Sequence, residues 1–247
     1  MIKISHVEYI NTLPYKIALE NSDFIRKTSI ITKSHPAGCA NELKNGDADI
    51  GLVPIGALND LPEHSVIAGF GLASKFKVNS VLVMSQVPLD EIKNVYLDYQ
   101  SRSSNGYLKI LSKYYWKKNF NFLNSEPNYI NKIKDATAAL VIGDKALQNL
   151  NKFNYVYDLA EEWFKFSNLP SVYAVWVTNG KADDNYISEF KKVIEQGVVN
   201  REEIAKQNAD LFNYFDLVKY LCENIAYRIE EDELKSMGLY FKLFKNI

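Results

Sequence analysis

The residues best suited to chemistry in this sequence are hydroxyl and amide side chains that follow strand-like segments. In residues 97–106 (LDYQSRSSNG), Ser101, Ser103 and Ser104 stand between a strand pattern and an amphipathic helical pattern. The first N–H groups of a helix lack intrahelical partners, and its dipole is positive at that end. Such a helix start can hold a carboxylate without net protein charge. The alternative is that a serine only caps the helix. Arg102 could support an anion or form a surface ion pair.

Four further polar residues lie where a ligand could reach them. Asn11 and Thr12 follow a strand pattern at the start of a helix, which is the usual ligand position in open α/β sheets, although both could be caps. Ser80 interrupts a β-branched strand, where its hydroxyl could face a ligand or only allow a tight contact. Asp144 follows the apolar residues 138–142 and could be a helix N-cap or an acid of the site.

Motifs of metal and nucleotide sites are missing from the sequence. There is no GxGxxG after a strand, no GxxxxGK[ST], no GxSxG and no HExxH. The three histidines, His6, His35 and His64, are scattered, and none stands near a cysteine at metal-ligand spacing. We therefore expect no metal and no organic cofactor.

Composition narrows the class of protein and its partners. The 247 residues are 47% hydrophobic and 24% charged, with a formal net charge of −1, so we expect neither nucleic acid nor an anionic membrane as a partner. The N-terminus lacks the pattern of a signal peptide, and no apolar run reaches about 18 residues, which favours a cytoplasmic protein. A bridge between Cys39 and Cys222 is possible, but two reduced thiols are the expectation in that compartment.

The hydrophobic pattern predicts strands alternating with helices, which favours mainly parallel sheets covered by helices. A helix over residues 101–116 would bury one face, a second would start near residue 183, and a third would start near residue 231 with Leu234 and Met237 inward. No flexible linker separates two domains. If two lobes exist, the chain should cross between them near Gln86 and Val172. Strands are predicted at residues 2–7, 28–32, 49–54, 78–84, 95–98, 138–142 and 171–177.

In chain order, several segments resemble chorismate dehydratase, an enzyme family of the futalosine route to menaquinone. The segments with LDYQSRSS and YDLAEEW are the most specific, and together the matches extend over nearly the whole chain. Three positions depart from the usual pattern: Phe76-Lys77 replaces Gly-Pro, Ser103 replaces Thr, and Ser171 replaces Phe. The matching segments are residues 9–14 (YINTLP), 46–54 (GDADIGLVP), 79–83 (NSVLV), 97–104 (LDYQSRSS), 142–147 (IGDKAL) and 157–170 (YDLAEEWFKFSNLP).

This resemblance implies a fold and a reaction. The fold would be the two-lobed α/β type II periplasmic-binding-protein-like fold, with a ligand cleft between a lobe of residues 1–86 and 173–247 and a lobe of residues 87–172. The reaction would convert chorismate to 3-[(1-carboxyvinyl)oxy]benzoate and water without a cofactor. Asn11 and Ser80 would be catalytic. The substrate-binding residues would be Thr12, Ser101, Arg102, Ser103, Ser104 and Asp144. The oligomeric state stays open.

Two questions remain open at this stage. The proton acceptor would be the substrate's own enolpyruvyl carboxylate, which we favour, or Asp144. The resemblance also leaves room for a sister enzyme of the pathway that cyclises dehypoxanthine futalosine. That enzyme has Thr-Ala-His where Ser103-Ser104-Asn105 stands here, which favours the dehydratase. A non-catalytic protein that binds small anions is the third alternative, because the fold supports capture without chemistry.

Overall fold

Two β-sheets organise the chain, and the computed structural model describes all of its residues, 1–247. The first sheet has six strands in the order β11-β4-β10-β3-β1-β2. It therefore combines strands from the first third of the chain with strands from its last third. These strands are β1 (Ile2–Val7), β2 (Ser29–Ser34), β3 (Ile50–Pro54), β4 (Ser65–Ser74), β10 (Ser171–Thr178) and β11 (Ala226–Arg228).

The second sheet has five strands in the order β7-β6-β8-β5-β9, all from the middle of the chain. Two separate sheets, each flanked by helices, give the two-lobed α/β class that the sequence predicted. The strands are β5 (Val81–Ser85), β6 (Asn94–Tyr96), β7 (Asn121–Leu123), β8 (Thr137–Ile142) and β9 (Tyr155–Asp158).

Strand pairing shows that the first crossing between the lobes lies closer to the N-terminus than predicted. A division at residue 86 would leave β5 in the first lobe, but β5 pairs antiparallel with β8 and β9 of the second sheet. The chain therefore crosses between Ser74, where β4 ends, and Val81, where β5 begins. It returns just before Ser171, close to the predicted position. The sequence pattern of β5 is that of any buried strand, so it did not reveal which sheet the strand joins.

Both sheets are mixed rather than mainly parallel. In the first sheet β1 pairs parallel with β2 and β3, whereas β10 pairs antiparallel with β3 and β4. In the second sheet β6 pairs parallel with β7 and β8, whereas β5 is antiparallel to its neighbours. The antiparallel strands β5 and β10 each follow a crossing between lobes.

Ten α-helices cover the sheets, and the three predicted from hydrophobic spacing are present. The helix predicted over residues 101–116 begins at Arg102 and continues beyond Ile110 as a π-helical segment, Leu111–Trp116. The helices are α1 (Leu13–Asn21), α2 (Asp23–Thr28), α3 (Pro36–Asn45), α4 (Arg102–Ile110), α5 (Gly143–Gln148), α6 (Leu159–Ser167), α7 (Asp184–Val199), α8 (Arg201–Asn208), α9 (Leu217–Lys219) and α10 (Glu231–Phe244).

Helix α10 buries Met237, as predicted, but not Leu234. Leu234 is 58% exposed, whereas Glu233, Met237 and Tyr240 are buried. Glu233 lies inward because its side chain accepts from the backbone N–H of Glu230 in a capping box. That polar contact places Glu233 rather than Leu234 in the buried stripe, which hydrophobicity alone does not predict.

Cys39 and Cys222 are free thiols, and Cys39 is buried. None of the helices is both long enough and apolar enough to span a membrane.

His6 lies in the core of the first lobe and links stability to pH. It is 1% exposed, its ring stacks on Trp176 at 6.3 Å, and neither ring nitrogen has a hydrogen-bond partner. Burial, and then the nearby Lys16 and Lys33, lowers its pKa to about 3. The folded protein therefore keeps this imidazole neutral at pH values where the unfolded chain protonates it.

We expect acid to destabilise the protein through His6. Because the folded pKa lies below the unfolded value of about 6.5, the penalty is absent above that pH and grows as the pH falls, to about 2 kcal/mol at pH 5. Replacing His6 with Phe keeps a ring against Trp176 and should remove this part of the loss. Urea denaturation of both proteins at pH 7 and pH 5 measures it. An equal loss in the variant would contradict the prediction.

Candidate functional site

Two sheet edges face each other across the cleft between the lobes. In the first sheet, the parallel strands β1 and β3 end there, and β10 begins there, with Ala174 paired to Pro54. In the second sheet, β6 and β8 end there, and β5 begins there, with Val81 paired to Ile142. The loops that follow these strand ends therefore open into one cleft, as expected for open α/β sheets.

A cavity lies between these edges and has no charged lining residue. It contains about 580 Å³ of space between atoms, part of it continuous with solvent. None of its eighteen lining residues is Asp, Glu, Lys, Arg or His. A bound anion would therefore be held by neutral donors and a helix dipole. The polar lining residues are Tyr9, Asn11, Ser80, Ser101, Ser103, Ser104 and Tyr173.

Asn11 enters the cavity from the first lobe. It lies in a single turn of 3₁₀-helix, Ile10–Thr12, between β1 and α1. Its backbone carbonyl accepts a hydrogen bond from the Tyr227 hydroxyl at 2.9 Å, which fixes the turn. The side-chain Oδ1 is buried and has no hydrogen-bond partner. The amide is thus held in place while its own hydrogen-bonding capacity stays unused, as expected for a ligand-binding group.

Ser80 enters from the crossing segment just before β5, on the second-lobe side. It is 1% exposed, and its Oγ accepts a hydrogen bond from the buried Tyr220 hydroxyl at 2.7 Å. The only acceptor for its own proton within the protein is the Val78 carbonyl, at 3.5 Å. That distance is too long for a strong bond. Tyr220 therefore orients Ser80 and leaves its proton available to a ligand.

A buried carboxylate fixes the backbone on which Ser80 stands. Asp158 accepts hydrogen bonds from the N–H groups of Val78 at 3.3 Å and Asn79 at 2.7 Å. It also caps α6 by accepting from the N–H of Ala160 at 2.9 Å. Asn79 has a φ of 59°, so the turn is in the left-handed region. Asp158 thus connects the first crossing segment firmly to the second lobe.

The loop before α4 is built around two polar side chains. Asn105 accepts from the backbone N–H of Asp98 at 3.0 Å and donates to its carbonyl at 2.8 Å. The Asp98 carboxylate accepts from the N–H of Gln100 at 2.7 Å and from the Tyr129 hydroxyl. Burial raises the pKa of Asp98, which lies outside the cavity lining. These contacts fix the loop so that the N-terminus of α4 lies at the cleft.

The three serines at the start of α4 differ in whether their hydroxyl protons remain available to a ligand. Ser101 is the N-cap, because its Oγ accepts from the N–H of Ser104 at 3.2 Å and donates to Oγ of Ser104 at 2.7 Å. The Ser104 hydroxyl keeps its own proton. Ser103 has no such freedom, because its Oγ donates to the Tyr173 carbonyl at 2.7 Å and accepts from the N–H of Gly56 at 3.1 Å.

Thr12, Arg102 and Asp144, which the sequence also suggested, do not line the cavity. Thr12 is buried, and its hydroxyl donates to the backbone carbonyls of Val7 and Tyr9. Arg102 forms an exposed ion pair with Asp60. Asp144 accepts from the N–H of Ile10 at 3.1 Å, and burial raises its pKa although this hydrogen bond opposes the shift. All three stabilise the walls of the cleft.

Several contacts hold the lobes together around the cavity. The Tyr9 hydroxyl donates to Oε1 of Gln100 at 2.9 Å, and the ring of Tyr9 lies over Gly143. The bonds of Asp144 to Ile10 and of Ser103 to Gly56 also join the first lobe to the second. The structure therefore shows the cleft in a closed arrangement.

Sequence reasoning overlooked two residues of the site and gave a third no individual role. Tyr173 lines the cavity, Tyr220 orients Ser80, and Tyr9 joins the lobes. Tyr9 stood within a matched segment, so a signal was present. Tyr220 lies in a π-helical segment, Tyr220–Asn224, and Tyr173 lies at an irregularity in β10. Neither feature has a recognisable pattern in one sequence.

The fold is that of periplasmic binding proteins. The chain is similar to the alkanesulfonate-binding protein SsuA of Xanthomonas axonopodis pv. citri, at 14% identity and a TM-score of 0.70 over 99% of this chain and 92% of that one. It is also similar to a Candida albicans gene product described as having the generic periplasmic binding protein fold, at 10% identity and a TM-score of 0.65 over 100% and 90%. At these identities the likeness shows the fold alone.

The family follows from the sequence. The family model described as menaquinone biosynthesis matches residues 2–246, so this chain belongs to that family. It is similar in structure to protein AF1704 of Archaeoglobus fulgidus, with a TM-score of 0.77 and 12% identity over 99% of this chain and 97% of that one.

Gly56 provides a test of the closed arrangement. A Cβ atom there would lie 2.8 Å from the backbone carbon of Arg102 and 2.9 Å from the nitrogen of Ser103. We expect Gly56→Ala to separate α4 from the first lobe at a cost of about 1–3 kcal/mol. Gly238→Ala is the matched control, because a Cβ atom in that turn of α10 meets no atom within 4 Å. Melting temperature and the radius of gyration from X-ray scattering measure the effect. Equal behaviour of the two variants would rule out this packing in solution.

Proposed function

We propose that this chain dehydrates chorismate to 3-[(1-carboxyvinyl)oxy]benzoate and water. The observation that carries the proposal is the cavity lining, which offers an amide, hydroxyls and a helix N-terminus but no charged side chain. The helix N-terminus suits a carboxylate, and the neutral donors and acceptors suit the hydroxyl and ether oxygens of an oxygen-rich substrate. Membership of the menaquinone biosynthesis family supports an enzyme rather than a protein that only captures a ligand.

The reaction removes the proton at C3 and the hydroxyl at C4 of chorismate. The electron pair of the C3–H bond forms the new ring double bond as the C4–O bond breaks, and hydroxide leaves with a proton as water. The ring becomes aromatic, which supplies the driving force. Charge that develops at C3 is conjugated with the ring carboxylate, so donors around that carboxylate stabilise the transition state.

In this proposal the helix start of α4 binds the ring carboxylate. Ser104 donates its free proton, and Ser101 orients Ser104 as the N-cap. The Ser103 hydroxyl does not bind the carboxylate, because both of its hydrogen bonds are used within the protein. It holds α4 in position against the first lobe instead. Arg102 contributes its backbone N–H, while its side chain pairs with Asp60 on the surface. The helix dipole adds to these hydrogen bonds.

Asn11 and Ser80 would act at the C4 hydroxyl. Both groups line the cavity and keep unused hydrogen-bonding capacity. The Ser80 hydroxyl would donate to the departing oxygen, which lowers the barrier for its loss, and the Asn11 Oδ1 would accept from the C4 hydroxyl and orient it. Thr12 and Asp144 support this arrangement by fixing the turn that carries Asn11.

The proton acceptor would be the substrate's own enolpyruvyl carboxylate. A protein base has to reach the reacting proton directly or through one water. The cavity lining offers no carboxylate and no imidazole, and both of its phenols, Tyr9 and Tyr173, have pKa values raised by burial. A carboxylate tethered to C3 through the ether oxygen is already close to the proton, so orientation of the substrate supplies the base.

The start of α4 also distinguishes the dehydratase from the enzyme that cyclises dehypoxanthine futalosine. At position 105, where the cyclase would have a histidine, Asn105 uses its amide to hold the backbone of Asp98. No imidazole lines the cavity. This supports the dehydratase over the cyclase.

The direct test is incubation of the purified protein with chorismate, followed by ultraviolet absorbance and chromatography. We expect the aromatic product, and we expect Asn11→Ala and Ser80→Ala to lower kcat/KM at least tenfold, as loss of about 1.4 kcal/mol of transition-state stabilisation would. Asn11→Ala should leave the melting temperature within a few degrees. Conversion of dehypoxanthine futalosine instead would favour the cyclase. Binding of chorismate without turnover would favour a solute-binding protein, and full activity in both variants would make these residues structural.

A further inference from the structure

Tyr173 occupies an irregular position at the second crossing between the lobes. In the pairing of β10 with β4, Val172 is opposite Ala73 and Ala174 is opposite Leu72, so Tyr173 is an extra residue in the strand. A β-bulge of this kind re-aims a side chain and interrupts the ladder. Here the bulge lies at the cavity, and Tyr173 is one of the lining residues.

The bulge is supported from the second lobe. The hydroxyl of Tyr107, in α4, donates to the Val172 carbonyl at 3.0 Å and accepts from the Val172 N–H at 2.8 Å. The Tyr173 carbonyl accepts from Oγ of Ser103 at 2.7 Å. Helix α4 therefore binds the backbone on both sides of the bulge, and Tyr173 is fixed relative to the helix N-terminus.

The Tyr173 hydroxyl has no partner in the protein. Its oxygen is buried and forms no hydrogen bond of regular geometry in the protein, although the Ser171 side chain lies close enough to lower its pKa. The phenol hydroxyls of Tyr107 and Tyr220, which are also buried, both have partners. Leaving a buried hydroxyl unpaired costs free energy, and such exceptions call for an explanation. Burial raises the pKa of Tyr173 well above its usual value, so the hydroxyl stays a neutral donor.

We propose that Tyr173 is a substrate-binding residue whose hydroxyl donates a hydrogen bond to a carboxylate oxygen of the ligand held at the N-terminus of α4. It would act together with the free proton of Ser104, and Asn11 and Ser80 would bind the rest of the ligand. The identity of the carboxylate as that of chorismate rests on the function proposed above. The hydrogen bond itself requires only a carboxylate in the cavity.

The test compares Tyr173→Phe with Tyr107→Phe, because each variant removes one buried phenol hydroxyl and keeps the ring. Benzoate serves as a carboxylate probe in calorimetric titrations to millimolar concentration, and chorismate serves in turnover. We expect Tyr173→Phe to weaken benzoate binding and raise KM for chorismate by about tenfold, since hydrogen bonds to charged groups are strong. Its melting temperature should stay equal or rise. Tyr107→Phe should lower the melting temperature, because the bulge loses both of its hydrogen bonds to that hydroxyl.

Each outcome decides one of the two proposals. Benzoate affinity within twofold of wild type in Tyr173→Phe would overturn the binding role, as would a melting temperature that falls as it does in Tyr107→Phe. Failure of the wild-type protein to bind benzoate would also overturn it. If the wild-type protein binds benzoate but does not convert chorismate, the proposed reaction fails, and the comparison of benzoate affinities still decides the role of Tyr173.

Discussion

The N-terminus of α4 is held in an uncharged cavity between two lobes, and the rest of the site depends on this placement. One hydroxyl makes two of the contacts that hold the helix there, because Ser103 binds Gly56 and the Tyr173 carbonyl at the same time. Ser103 and Ser104 line the cavity, and the Ser104 hydroxyl keeps a free proton, although its backbone N–H is bound to the Ser101 cap. A positive helix end in such surroundings attracts an anion, since the low dielectric strengthens the interaction and the lining has no carboxylate to repel it.

In a cavity of this kind, the protein and its ligand contribute different groups to the chemistry. The protein supplies hydrogen-bond donors of fixed geometry, and the ligand supplies the charges, including the proposed base. The buried oxygens of Asn11 and Tyr173 have no partners, so the free protein retains a cost that ligand binding can remove. Such groups make the site less stable than a well-paired core and more selective for a ligand that satisfies them.

Much of the fold was predictable, because periodicity and caps are local. The inner face of α7, which includes Phe190 and Ile194, was predicted and is buried. The N-cap role of Ser101 was weighed from sequence and is present. What each site hydroxyl binds was not predictable, since the partners of Ser103 lie 47 and 70 positions away in the chain. The bulge at Tyr173 and the sheet to which β5 belongs also depend on long-range pairing, which one sequence does not contain.

The central claim is that catalysis needs no charged protein group in the cavity, and Asp144 is the residue that tests it most directly. Asp144 lies next to the lining residue Gly143, and its Oδ1 accepts from the N–H of Ile10 at 3.1 Å. Asp144→Asn keeps an oxygen for that hydrogen bond but cannot accept the C3 proton. Measured kcat with chorismate should stay within about threefold of wild type, because only a structural contact is altered. Near-complete loss of kcat with chorismate binding intact would make Asp144 the base and would contradict the account.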